Sequence, residues 1–314
     1  MESRRSTRPN SRLRRFVSLK RIRIPGFIDV IHVDDPQEII DLNQDVRSDR
    51  KFDLRWPILN WLILKRALNV LSFGGNRFPT VIPRDSTSRA SAQAKLGAAL
   101  DAQAAAVREG PEELERLASW LRGGESDAQI GIAVQQVVGR LFSPTFTATQ
   151  ESWGAAKILV TAPRSSNVLR TVWWILSGKL GRAKRLLAGM VNGDLAGVNG
   201  IGIAAHNIVN SLGQMKVLYS DPAVRRTLSA EEAARRSLMA PVSLLRQASS
   251  DGEIRGCPFS KNSLFVLAIG KASKSPGGQS LVFMDDSWSG CPGSRWVPAM
   301  LEGVWKRAAA SVQA

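Results

Sequence analysis

The residues of this chain whose types and spacing can do chemistry fall in order within its C-terminal third. Glu232 and Arg235 stand three apart behind Ser229, Arg246 follows in Leu-Leu-Arg-Gln, and Trp288 leads to Cys291-Pro292-Gly293 ahead of a helix-forming run. A carboxylate and a guanidinium three apart share one helix face and pair. A cysteine at a helix entrance has its thiolate favoured by free backbone N–H groups and the positive end of the helix dipole. The thiolate, not the thiol, is the nucleophile and metal ligand. An acid–base pair of the buried type, a lone strand arginine and such a thiol suit a thiolate-bound prosthetic group.

Other chemistries have less to work with. With only His32 and His206, a Ser-His-Asp or Cys-His nucleophile has few bases, and neither histidine sits in a local motif. Two cysteines and two histidines scattered along 314 residues do not have zinc spacing. The glycines from Gly193 to Gly202 lack the strand–Gly-x-Gly-x-x-Gly–helix context of a dinucleotide site. Cys257 and Cys291 make no disulfide framework, which points to a reducing, cytoplasmic setting.

No apolar run reaches the roughly 18 residues that span a bilayer, and Trp56 to Leu64 reads as a core helix or a lid. Lys and Arg outnumber Asp and Glu by 43 to 27, a net charge of +16. Nine of those bases lie between Arg4 and Arg23 against one acid, Glu2, so residues 1–25 read as a basic, solvated and disordered arm. Such an arm can touch nucleic acid or acidic lipid only without sequence specificity. Trp173, Trp174, Trp296 and Trp305 read as core at helical spacing.

The elements that must position these residues are mainly α with a small β-sheet, in one domain over residues 26–314. A strand, an Asp-Pro turn and a helix occupy 27–43, with Asp35 as cap and Pro36 in the first turn. Helices follow over about 56–71, 88–107, 110–122, 128–141, 149–160 and 167–178, then a long one over 181–219. Gly193, Gly197, Gly200 and Gly202 in that last segment each cost about 1 kcal/mol of helix propensity. Close approach of a flat ligand or of another helix is the expected reason for them. Ser229 and Glu232 form a capping box, strands occupy about 243–248, 253–256 and 263–268, and a final helix runs over 294–311.

In this order the residues resemble the haem-thiolate monooxygenases of the cytochrome P-450 superfamily. The resemblance runs from about Leu195 to the C-terminus, with an echo in residues 27–43. It implies a P-450-like helical architecture holding haem b, with Cys291 as the iron ligand and Glu232 and Arg235 in a structural ion-pair network. It further implies Arg246 against a propionate, Gly293 passing close to the porphyrin, and Trp288 over the thiolate face. Cys291 and Gly293 stand in place within the cysteine loop. Phe283, however, is eight residues before the cysteine instead of seven, and Ser287 and Ser289 replace the usual glycine and basic residue.

The family's central helix carries an acid and a threonine that feed protons to dioxygen. Here Ala196-Gly-Val-Asn-Gly200 stands there, so Asn199 and Gly200 replace a titrating pair, and His206, two turns on, is the available acid–base group. The implied activity is oxidation of a small apolar or amphipathic molecule. It is either a monooxygenase served by a ferredoxin- or flavin-type electron donor or a peroxide-driven enzyme. The alternative is a degenerate, cofactor-free scaffold binding nucleic acid or an anionic membrane through its basic arm.

Overall fold

The structure, a computed structural model, describes residues 19–108, 112–164, 168–285 and 287–310. It is mainly helical with one sheet of five strands and two small hairpins among the described residues.

β1 (Lys20–Ile24) and β2 (Ile28–Val33) form a hairpin closed by Gly26 at positive φ. The first of these strands corrects the expectation for the arm: residues 20–24 are a paired edge strand. The alternation of basic residues with Ile22 and Ile24 suits an edge with one solvated face. Residues 1–18 lie outside the described residues. α1 (Pro36–Gln44) starts as expected, with Asp35 accepting the Glu38 N–H at 3.0 Å. β3 (Ser48–Asp49), α2 (Ile58–Val70) and the hairpin of β4 (Ser72–Phe73) and β5 (Asn76–Arg77) lead to α3 (Thr87–Arg108).

The helical body is α4 (Glu115–Leu121), α5 (Ile130–Arg140), α6 (Gln150–Arg164), α7 (Val168–Leu176), α8 (Lys179–Met190), α9 (Leu195–Asn199) and α10 (Ala205–Ser220). The single long helix expected over 181–219 is interrupted. Asn192 and Gly193 both take positive φ, which ends α8, and Asp194 then caps α9 by accepting the Ala196 N–H. Gly200–Ala204 is a wider π turn that joins α9 to α10. After α11 (Pro222–Thr227), α12 (Ala230–Ser237) starts at the Ser229 cap, whose side chain accepts the Glu232 N–H.

β6 (Leu244–Ala248), β7 (Gly252–Ile254) and β9 (Leu264–Leu267) fall where alternation placed strands, and β8 (Cys257–Phe259), which was not expected, closes a hairpin with β7. α13 (Ile269–Ala272) and, beyond the cysteine loop, α14 (Val297–Ala310) complete the chain. The sheet order is β1-β2-β9-β6-β3, with β2 and β9 parallel and the other pairs antiparallel.

Helices α4, α5, α6, α10, α12 and α14 share the main core, with Leu117, Val134, Leu159, Leu212 and Leu301 at 2% exposure or less. A second cluster, around Ile31, Ile39 and Phe265, lies against the sheet. Trp296 and Trp305 are buried as expected. Trp173 is 65% exposed, a correction, and its neighbour Leu176 is more exposed still.

Candidate thiolate and arginine site

The loop that carries Cys291 is closed on itself: the Cys291 N–H donates to the Phe283 carbonyl at 2.7 Å, which fixes the eight-residue spacing. Within it the Ser287 N–H reaches the Met284 carbonyl and the Gly290 N–H the Ser287 carbonyl. From α3, Arg89 Nε donates to the Trp288 carbonyl at 3.1 Å and Gln93 Nε2 to the Gly290 carbonyl at 3.3 Å. Arg295 pairs with Asp101 at 2.5 Å, so α3 holds the loop on both sides of the cysteine.

Cys291 caps a single 3-10 turn, Pro292–Arg295, and Trp296 then departs from helical geometry before α14 begins. The expected position at the mouth of the long helix is thus corrected to the head of a short turn, where less dipole acts. Cys291 is an exposed residue. Desolvation nevertheless pushes its thiol up from the ordinary range. The Gly293 backbone N–H and Arg50 oppose that rise, and Asp285 adds to it. A side chain at Gly293 would meet the sulfur: a Cβ there would lie 3.4 Å from Sγ.

Beside the cysteine stands a cluster of arginines. The guanidinium carbons of Arg50, Arg84, Arg89 and Arg246 lie 5.1, 5.8, 4.8 and 5.2 Å from the centre of the Trp288 ring. Arg50, Arg89 and Arg246 are buried, the last completely. Trp288 donates from Nε1 to the Asn43 carbonyl at 2.9 Å. The indole is thus the centre of the arginine cluster.

The acceptors these guanidiniums meet are almost all neutral. Arg246 donates to the Leu245 carbonyl at 3.0 Å, to Asn43 Oδ1 at 3.0 Å and to Ser289 Oγ at 2.9 Å. Arg89 donates to the Pro79, Ile82 and Trp288 carbonyls. Asp49 is the buried carboxylate among them, and it accepts the Arg50 and Arg84 backbone N–H groups at 2.6 and 2.8 Å. Desolvation, and after it Arg89, drives Arg246 down to about 9, against the pull of Asp49. Arg50 is pushed well down by the same burial, then by Arg246 and Arg89. A guanidinium does not surrender its proton, so the cluster keeps its positive charges buried with little compensating negative charge. Arg246 Nε and Asn43 Nδ2 are buried donors that meet no acceptor among the described residues.

That shortage is what the carboxylates of a haem would relieve. A thiol on an exposed residue beside desolvated cations and orphaned donors is a fitting set of groups for a thiolate-ligated, dicarboxylate prosthetic group. Arg246 was expected from the sequence. Arg50, Arg84, Arg89 and Asn43 were not, because they come from α1, α3 and two loops and share no spacing.

The remaining expected site residues do not converge. Glu232 and Arg235 pair through two contacts of 2.6 Å, and Arg236 joins at 2.6 Å, but the side chains are 27%, 48% and 54% exposed. The buried network is corrected to a surface one, since α12 buries Ala233, Ala234 and Ser237 instead. Arg235 still ties α12 to Gln279 at 2.7 Å, ahead of the cysteine loop.

Asn199 Oδ1 accepts from Thr80 Oγ1 at 3.4 Å, and the segment holding Thr80 is bonded through Pro79 to Arg89. A Cβ added at Gly200 would lie 2.6 Å from Phe142, and one at Gly197 would lie 2.9 Å from Val191 and 3.2 Å from Phe142. Their reason is side-chain packing, not a flat ligand. His206 stacks on Trp153 of α6 with ring centres 4.2 Å apart, and the structure places it in that helix contact.

No family model matches the chain, and no curated protein is similar to it in sequence. Solved structures are similar in architecture. The ligand-free cytochrome P450 OleT superposes with a TM-score of 0.62 at 11% identity, over 90% of this chain and 81% of that one. CxnD, the cytochrome P450 for C–S bond formation in chuangxinmycin biosynthesis, gives 0.60 at 12%, over 88% and 79%. A six-coordinated cytochrome P450 from Thermus thermophilus gives 0.55 at 17%, over 89% and 84%. At these identities the likeness is one of architecture, and with the order of elements described above it shows that this chain has the cytochrome P450 fold.

Proposed function

We propose that the chain is a haem-thiolate protein that oxidises a small apolar or amphipathic molecule. The observation that carries this reading is the accessible Cys291 thiol set beside an arginine cluster that lacks acceptors. Bound haem b would supply an iron centre for oxidative chemistry, made electron-rich by a thiolate ligand. Cys291 would be that ligand, and Gly293 keeps the space next to its sulfur clear of a side chain. Arg50, Arg89 and Arg246, with Asn43, would meet the propionates. Trp288 holds the four guanidiniums in place through its ring.

Proton supply distinguishes the possible oxidants. Asn199 can donate or accept a hydrogen bond but does not titrate, Gly200 has no side chain, and His206 is engaged with Trp153. So sparse a proton supply suits a peroxide, which is already reduced by two electrons and carries its own protons, better than dioxygen with a ferredoxin- or flavin-type donor. The test is expression with a haem precursor followed by an absorbance scan and turnover assays with peroxide and with a donor system. A Soret band and peroxide-dependent oxidation of an apolar probe are expected. Protein that takes up no haem on reconstitution contradicts the reading.

A further inference from the structure

The β1–β2 turn and the first half of α2 make one exposed apolar face. Ile22, Ile24, Phe27, Trp56, Ile58 and Leu62 are each 41–62% exposed. They are contiguous: the Leu59 N–H donates to the Phe27 carbonyl at 2.8 Å, and the Ile58 N–H to the Gly26 carbonyl at 3.4 Å. The Trp56 ring lies 3.9 Å from where Gly26 would carry a Cβ. Single exposed apolar side chains are ordinary, but six large ones joined in this way mark an interaction surface.

The charge around this face says what it meets. Lys20 and Arg23 share β1 with the two isoleucines, and Lys65 follows Ile58 and Leu62 on the outer side of α2 with Nζ 4.7 Å from the Trp61 ring. None of these three cations has a carboxylate partner at ion-pair distance among the described residues. A second copy of the chain would set cations against cations. Nucleic acid would leave the aliphatic groups in water. A surface that is anionic and apolar at once satisfies both features.

We propose that this face docks the protein peripherally on an anionic lipid bilayer. Trp56 and Phe27 enter the headgroup–acyl boundary, and the basic residues meet lipid phosphates and carboxylates. The docking is superficial, since no helix among the described residues is long and apolar enough to cross a membrane. It does not depend on haem.

The experiment is co-sedimentation of the full chain with vesicles of phosphatidylserine and phosphatidylcholine, and with phosphatidylcholine alone. Binding is expected only with the anionic lipid and should weaken with salt. Trp56→Ser with Leu62→Ser should lower partitioning about tenfold or more. Arg23→Glu with Lys65→Glu should abolish the preference for phosphatidylserine. Trp173→Ser with Leu176→Ser, exposed residues of α7 that are not part of the proposed face, should leave the preference for phosphatidylserine unchanged. Equal sedimentation with both lipids overturns the proposal, as does indifference to both sets of substitutions. A dimer in solution that Trp56→Ser dissolves, or DNA binding that competes with vesicles and ignores Trp56, overturns it too. Holding the unfolding midpoints equal across variants separates lost docking from lost folding.

Discussion

At the scale of single residues, buried cations set the behaviour. Lys184 is 6% exposed, and its Nζ donates to the carbonyls of Asn69 and Ser72 at the end of α2, a cap for groups that the helix leaves unpaired. Burial lowers it from 10.5 to about 8. The folded state thus releases this proton before the unfolded state does. Between about pH 8 and 10.5 the unfolded chain binds more protons, so stability rises with pH, and below about 8 the full penalty is present. Urea midpoints measured from pH 7 to 10 should show a rise on the order of 2–3 kcal/mol that Lys184→Met lacks. A flat profile in the wild type contradicts this. Arg246→Leu should weaken haem retention, measured by transfer to apomyoglobin, while Arg235→Leu should leave it nearly unchanged. Cys291 was legible because one thiol precedes Pro-Gly and a helix-forming run. Arg50 and Arg89 were not, because an arginine in a loop or at the head of an Ala-rich helix looks like any solvated charge until the fold turns it inward.

At the scale of elements, packing explains what periodicity left open. The strand–Asp-Pro–helix start, the Ser229 cap and the strands of residues 244–267 were legible because local chemistry sets each of them. The glycines between α8 and α10 invite close approach of a flat ligand or of another helix, and packing is what meets them: Phe142, just past α5, lies over Gly200, and Val191 with Phe142 over Gly197. A side chain arriving from a distant part of the sequence leaves no local signature. Gly200→Ala should therefore destabilise by about 1–3 kcal/mol through overpacking against Phe142. Phe142→Leu in the same chain should recover part of that loss, a coupling visible in thermal unfolding. Additive losses contradict the contact. On α12, the Glu232 carboxyl is held down to about 2 by Arg235 and then Arg236. Its stabilising contribution is complete above the ordinary carboxylate range near 4.5 and fades as pH falls toward 2. Being exposed, the pair contributes modestly, and Glu232→Gln should flatten only the acid limb of stability.

At the scale of the whole molecule, the architecture and the site rest on different kinds of information. The order of helices and strands, with Arg246 and Cys291 placed in it, was enough to read a mainly α fold of the P-450 kind, which the structural likeness bears out. Which surfaces face outward was not readable from composition. The apolar residues from Trp56 to Leu64 read as a core helix or a lid, and residues 1–25 as a basic arm, whereas the hairpin brings the exposed residues of both segments into one face. The site's chemistry turns on whether that architecture holds an iron through a sulfur. The most direct measurement is the reduced, carbon-monoxide difference spectrum of haem-loaded protein, wild type beside Cys291→Ala. The account predicts the red-shifted band of a thiolate ligand in the wild type and its loss in Cys291→Ala, with the fold intact by circular dichroism. Identical spectra from the two proteins, or no bound pigment in the wild type, would contradict it.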